Sequence, residues 1–407
     1  MFVGDFKINK DERAAIIEVM KAGRISEWKK VREFEKLFAD YIGTRYCLAV
    51  SSGTAAILVG LLALLYDERF PKVERGKKIV TSPVTYISAA SAITLTGFEP
   101  VFVDIDKRTF KLIPEQIEEI IKKEGPNNMA GVLPVHLMGF PNDMDEINKI
   151  ADKYGLFVFE DSAQAHGSVY KGKKTGSIGL LSDFSFYIAH NIQAGEMGCV
   201  TTNDEKLFRL MKQLKASGRL CVCAVCTRNS GTCPFKKSAN AKEDLDPRFT
   251  HEYVAYNFKT IEFTSALAIS QVKKSDSIFK KRLHNVKYLN ERLKKFEDLF
   301  YLPIYDDNVS YLAYPIIIKK NMKGLTRKWL RAKLEQEGVE NRPLFGCIPT
   351  QQPAFRHIKD KYTNKLPIAE YVGSNAFYIG CHQYLVKKDL DYIADTMTKI
   401  LSDGKYL

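Results

Sequence analysis

The chain has 407 residues, 45% of them hydrophobic and 27% charged, a balance that suits a folded globular protein and excludes a disordered or collagen-like one. Sixty-one Lys and Arg against 48 Asp and Glu give a formal charge of +13. The basic residues cluster only around 72–78, 171–174 and 319–323, without the interleaved aromatics of a single-strand binder, so anionic small molecules or an acidic partner are expected and nucleic acid is not. No run approaches the roughly eighteen apolar residues of a membrane span, and MFVGDFKINKDER has no apolar core of signal-peptide length; a cytoplasmic location is expected.

Length suggests two domains, which we place at 1–274 and 275–407. In chain order, the spacing predicts helices over 11–22 and 29–41, stopped by Gly23 and Gly43, then a strand over 46–50. In SSGTAAILVGLLALL, small residues precede an apolar helical run, which makes a helix start with open amides and hence a phosphate seat at Gly53, Thr54 and Ala55. Many α/β proteins carry such a turn. KIVTSPVTYISAASAITLTGFEPVFVDID alternates strand, helix and strand, the pattern of a parallel sheet covered by helices; a further unit spans 131–154. LFVFEDSAQAHG then sets Asp161 directly after an apolar strand, where ligands of open α/β sheets bind, although an acidic residue there also serves as a helix cap.

Residues 184–198, FSFYIAHNIQAGEMG, read as a buried aromatic strand entering a tight polar turn, with Gly195 and Gly198 for close approach and a single histidine, His190. A strand over 199–202 and a helix through Leu214 follow. Within the loop 216–237, Cys221, Cys223, Cys226 and Cys233 fall close together. Eight cysteines in a reducing compartment do not form a disulfide framework; four in one loop suit zinc or an iron-sulfur cluster, with unliganded thiols the third possibility. A basic amphipathic helix over 275–296, a strand over 311–318, a helix over 325–337 and a last helix over 387–401 form the smaller α/β domain.

The segment around His190 resembles the S-F-x-x-x-K-N-x-x-x-G-E-x-G active-site segment of the DegT/DnrJ/EryC1/StrS sugar aminotransferases, and GRISEWKKVREFEKLFADYIG (23–43) and HEYVAYNFKTIEFTSALAISQV (251–272) resemble other parts of that family. The resemblance implies an aspartate-aminotransferase-like (PLP fold type I) α/β architecture: a large mostly parallel sheet domain plus a smaller one. It implies that the Gly53, Thr54 and Ala55 turn and Ser185 contact the phosphate of a vitamin B6 cofactor. Tyr86 would stack on the pyridine ring, though a Tyr at a helix start also reads as core; Asp161 would hold the ring nitrogen and Gln164 would approach the ring hydroxyl. Asn257 would reach the cofactor of a second subunit in a homodimer. Arg342, in NRPLFGCIPTQQPAF, would meet a sugar nucleotide, or is a plain surface arginine.

Where the family has its covalent lysine, this chain has His190. An imidazole cannot hold the cofactor aldehyde but can shuttle a proton, so the cofactor would act unanchored, as pyridoxamine phosphate (PMP) interconverting with pyridoxal phosphate (PLP). That replacement resembles the 3-dehydrases of nucleotide-linked 4-keto-6-deoxy sugars. The iron-sulfur branch acting on CDP-4-keto-6-deoxyglucose couples it to cysteines resembling Cys221, Cys223 and Cys233 around a 2Fe-2S cluster fed by a flavin or ferredoxin-type NAD(P)H-dependent reductase. This chain departs from that branch at Ser162 and Ala163, where its fourth ligand falls; Cys226 is the substitute. The alternatives are a cluster-free, glutamate-using colitose-type dehydratase and a catalytically altered relative with a zinc loop.

Overall fold

The computed structural model describes residues 1–223, 226, 227, 232, 246, 248–319, 324–404 and 406. Helices α1 (Lys10–Ala22) and α2 (Lys29–Ile42) lead into strand β1 (Tyr46–Val50) and helix α3 (Gly53–Tyr66). Then follow β2 (Lys78–Thr81), α4 (Ser88–Leu95), β3 (Glu99–Phe102), α5 (Pro114–Glu124), β4 (Met129–Leu133), α6 (Met144–Tyr154) and β5 (Phe157–Asp161). A small ribbon of β6 (Val169–Tyr170) and β7 (Lys173–Lys174) precedes β8 (Leu181–Ser185), β9 (Gly198–Thr202) and α7 (Glu205–Leu214).

These strands form a seven-stranded sheet in the order β1-β9-β8-β5-β4-β2-β3. The ladders joining β3, β2, β4, β5 and β8 are parallel, while β9 pairs antiparallel with both β8 and β1. Parallel strands covered on both faces need apolar side chains throughout, and β4 and β5 are buried along their whole length. Helix α3 is apolar on nearly every side because it lies inside the molecule, and it approaches the sheet at Gly60, where a Cβ would stand 2.5 Å from the Phe159 ring. On the opposite face, α2 buries Val31, Phe34, Phe38 and Ile42 against Phe184 and Phe186.

Helix α8 (Glu262–Val272) ties the early chain to this body: the Glu262 carboxylate accepts the amides of Trp28, Lys30 and Val31, satisfying the open start of α2. Helix α9 (Ser275–Leu293) then runs to a four-stranded antiparallel sheet in the order β10-β11-β13-β12. Its members are β10 (Phe300–Tyr301), β11 (Tyr314–Ile318), β12 (Asn341–Pro343) and β13 (Ala376–Ile379). Helices α10 (Arg327–Gln336), α11 (Ile348–Gln351), α12 (Lys359–Tyr362) and α13 (Pro367–Asn375) lie among them, and α14 (Lys387–Asp403) closes the chain. This is the expected mixed α/β architecture.

Two element readings need correction. The strand carrying the 184–198 segment ends at Ser185, so Phe186, Tyr187 and Ile188 belong to the turn, and Tyr187 and Ile188 are exposed. The strand expected from Tyr311 starts at Tyr314, because the chain at 310–312 is engaged with other loops through its carbonyls. Among the described residues no helix is long and apolar enough to cross a membrane.

Candidate active site

The carboxyl ends of β5 and β8, the start of α3, and the chain around β12 and α13 enclose a cleft of about 1050 Å³. It lies where an open α/β sheet offers room for a ligand. Gly53, Thr54, Tyr86, Asp161, Gln164, Ser185, His190 and Arg342 all line it, so eight residues spread over 290 positions of sequence are brought together.

The start of α3 is built for an anion. Ser52 caps it, its Oγ accepting the Ala55 amide at 3.1 Å, and the Ala56 amide makes the first intrahelical bond, to Ser52 O at 3.0 Å. The amides of Gly53 and Thr54 are thus left at the cleft wall; Ala55 is spent on the cap and does not line the cleft. A Cβ on Gly53 would stand 2.7 Å from Ser185 Cβ, so only glycine lets the helix start and the Ser185 hydroxyl face one ligand group.

Asp161 is buried at the end of β5, with Oδ1 accepting the Ala163 amide at 3.1 Å. Burial pushes its carboxyl up to about 6, against the opposing pull of the Ala163 bond and of His136. Gln164 turns its Oε1 to the Met138 amide at 3.1 Å, which leaves its amide nitrogen as a donor for the cleft. Tyr86 is 59% exposed and meets Phe345 edge-on, so it is a free aromatic face at the cleft and not a core residue.

His190 sits on a turn held from several directions. Its amide donates to Tyr187 O, the Ala194 amide to Phe186 O, and Asn191 Nδ2 to Ser310 O and Oγ at 2.9 and 2.7 Å. The wholly buried Arg282 donates to Leu312 O at 2.7 Å, Tyr311 O at 3.2 Å and His190 O at 3.5 Å, binding the turn to α9 and to the chain just before β11. The imidazole Nδ1 lies 2.9 Å from Ser185 O. A carbonyl can only accept, so Nδ1 carries the proton and Nε2 keeps its lone pair. Although the residue as a whole is half-buried, its ring packs near His166, and burial lowers its pKa to about 4, partly offset by the Ser185 bond and reinforced by the Arg282 charge. The imidazole is therefore neutral at pH 7.

At the other end of the cleft stand Arg342, paired with Glu340 through Nη2 at 3.0 Å, and Arg327, anchored on Gly373 O and Ala376 O. Sequence reasoning missed Arg327, Arg282 and a second cleft carboxyl, Asp183. Asn257 lies on the surface outside this cleft, its Oδ1 accepting the Lys259 amide at 3.3 Å. Of the cysteine loop, Cys221 and Cys223 are half-buried and Cys226 is exposed, whereas Cys233 lies outside the described residues. Among the described residues no three metal-ligating side chains are gathered.

The residues present fit the phosphopyridine cofactor expected from the sequence: open amides and a glycine cradle for the phosphate, the buried Asp161 carboxyl for the ring nitrogen beside an Asp183 carboxyl without a partner among the described residues, and a donor in Gln164.

Proteins similar to this chain in sequence and in fold are numerous. The chain is similar to a dTDP-4-dehydro-2,6-dideoxy-D-glucose 3-dehydratase of Saccharopolyspora spinosa, with 30% identity over 97% of this chain and 85% of that protein. It is 28% identical to a GDP-4-keto-6-deoxy-D-mannose 3-dehydratase of Escherichia coli O55:H7, over 95% of this chain and 96% of the relative. Among solved structures, a GDP-4-keto-6-deoxymannose-3-dehydratase with a trapped PLP-glutamate geminal diamine superimposes with a TM-score of 0.84 at 26% identity, covering 97% of this chain and 99% of the other. The profile of one family spans residues 7–398, both sheets and the cleft between them, and the chain belongs to that family, the DegT/DnrJ/EryC1/StrS aminotransferases.

Proposed function

We propose that the protein is a PMP-dependent enzyme that removes the C3 hydroxyl of a nucleotide-linked 4-keto-6-deoxyhexose. The observation that carries this reading is His190, a neutral imidazole with a free Nε2 at the position where the family has its covalent lysine. When bound, the cofactor supplies an amine to condense with the C4 ketone and a ring that withdraws electrons. With Nδ1 engaged by Ser185 O, Nε2 of His190 would be the base that takes up a proton in the loaded cleft, and the imidazolium so formed would be available as an acid for the C3 hydroxyl. Asp161 holds the ring nitrogen protonated; Gly53, Thr54 and Ser185 hold the phosphate; Arg327 and Arg342 receive the sugar nucleotide's diphosphate. Asn257, outside its own cleft, serves the cleft of a second copy in a homodimer.

Net deoxygenation at C3 consumes two electrons after water leaves. The closeness in sequence of Cys221, Cys223, Cys226 and Cys233 supports the reading that these four would hold a 2Fe-2S cluster, which would supply one-electron chemistry from a flavin or ferredoxin-type reductase. A second reading, cluster-free and restoring the amine from glutamate, is favoured by the glutamate adduct of the similar solved structure. Iron and sulfide analysis after anaerobic purification, beside turnover with glutamate or with a reductase, separates them. Purified protein with a B6 spectrum should release cofactor on dialysis and resist borohydride fixation; a reduced adduct on a lysine would refute the role of His190.

A further inference from the structure

Asp183 has no part in the mechanism above, yet it lines the same cleft. It is 1% exposed, and neither carboxyl oxygen has a hydrogen-bond donor among the described residues. Side chains alternate along β8: Ser182 turns away to Glu160 O and Ser162, and Phe184 packs on Phe38, whereas Asp183 and Ser185 share the cleft side. The register partner of Asp183 on β5 is Asp161, and neighbouring strands run about 4.8 Å apart, so the two carboxyls stand side by side. No Lys or Arg pairs with either one among the described residues.

Two ionised carboxylates in such a place would repel each other, and a buried carboxylate without a donor is costly. One proton resolves both problems: a neutral acid has an acceptor beside it, and its neighbour, bonded only to the Ala163 amide, gains a second donor.

We propose that Asp183 is a protonated positioning residue of the cofactor site, donating a hydrogen bond to Asp161 and holding it as the single negative charge for the pyridine nitrogen. The inference rests on the reading that a B6 cofactor occupies this cleft. Burial, and then the Asp161 charge, push the Asp183 carboxyl well above its usual range, in the direction this requires. The other titratable groups around the pair are His136, facing Asp161 from the chain after β4 and bonded to Glu160; Cys199 on β9, a thiol pushed up by burial; and the neutral His190. Ser185, two residues on, is left free for the phosphate.

The test is equilibrium dialysis of PMP against wild-type protein, Asp183→Asn and Asp183→Ala between pH 5 and 8.5. Wild-type affinity should fall as pH drops through about 6, where Asp161 takes up a proton. The phosphate's own titration near pH 6 is common to all three proteins and cancels. In Asp183→Ala the carboxylate of Asp161 loses the donor supplied by Asp183 and keeps only the Ala163 amide, so the midpoint should rise by about one pH unit, whereas the Asn amide keeps it near the wild-type value. A downward shift in the Ala variant would mean that Asp183 carries charge, and no shift in either variant would mean that it is inert; both overturn the proposal. The apo protein supplies a readout without cofactor: a protonated-carboxyl infrared band at pH 7 that vanishes in Asp183→Ala. Its absence from wild type also overturns the proposal, while wild-type protein that shows the band but binds no PMP refutes the cofactor reading alone.

Discussion

At the scale of single residues, what a group can do here follows from which of its atoms is already engaged. Ser185 O fixes the tautomer of His190, and the Met138 amide fixes the face that Gln164 shows the cleft. Replacing His190 by Asn should leave PMP affinity nearly unchanged while slowing solvent exchange of the cofactor's methylene proton by about 10² to 10⁴-fold, readable by NMR; unchanged exchange would remove His190 as the base. Because burial holds His190 near 4 in the fold against an ordinary value of 6.5, the unfolded chain binds the extra proton in between. The apo protein should therefore lose stability as pH falls from about 6.5 towards 4, and His190→Asn should lose less, measured as melting temperature across that range. His190 and Asp161 were legible because a motif or a strand end singles them out. Asp183 was not, since an aspartate alternating with apolar residues in a strand reads as solvent-facing, and Arg282 was hidden in a helix whose many lysines suggested a solvated face. Its charge is buried among carbonyl oxygens, which no pattern of residue types announces.

At the scale of elements, the site depends on how tightly α3, β8 and β9 are brought together. A Cβ on Gly198 would stand 2.3 Å from Ser52 C, and one on Gly53 would meet Ser185. Gly53→Ala should cost about 1–3 kcal/mol of packing, paid by displacing the helix start, and should weaken PMP binding much more than it lowers the melting temperature of the apo protein. Isothermal titration beside calorimetry measures both. Helix ends were readable where glycine stops mark them, as at Gly23 and Gly43. The end of β8 was not, because Phe186 continues the apolar pattern into a turn whose shape is set by the bonds of Asn191 to Ser310 and of Arg282 to His190, partners far away in sequence.

At the scale of the whole molecule, the cleft joins residues of different sheets: those of β5, β8 and α3 to which we assign the cofactor, and the arginines of β12 and α10 to which we assign an anionic substrate. With a reductase present, Cys223→Ser should abolish net deoxygenation yet keep proton exchange, because elimination uses only the cofactor and His190; full deoxygenation by the variant, or stoichiometric zinc in the wild type, would favour the glutamate-driven reading. The architecture and eight of the residues that line the cleft were legible in the sequence because phosphate, ring and proton chemistry impose residue types at strand and helix ends. Asn257 and the cysteine loop were also singled out in the sequence, but Asn257 lies outside this cleft and Cys233 lies outside the described residues, so one chain's cleft does not bear on them. The claim that the C3 hydroxyl leaves is tested most directly by incubating PMP-loaded enzyme with GDP-4-keto-6-deoxy-D-mannose and its dTDP and CDP counterparts, each carrying oxygen-18 at C3. The account predicts that the label passes into water from at least one of them, and that His190→Asn stops the release; an amino sugar formed at C4 with the label retained at C3 would contradict it.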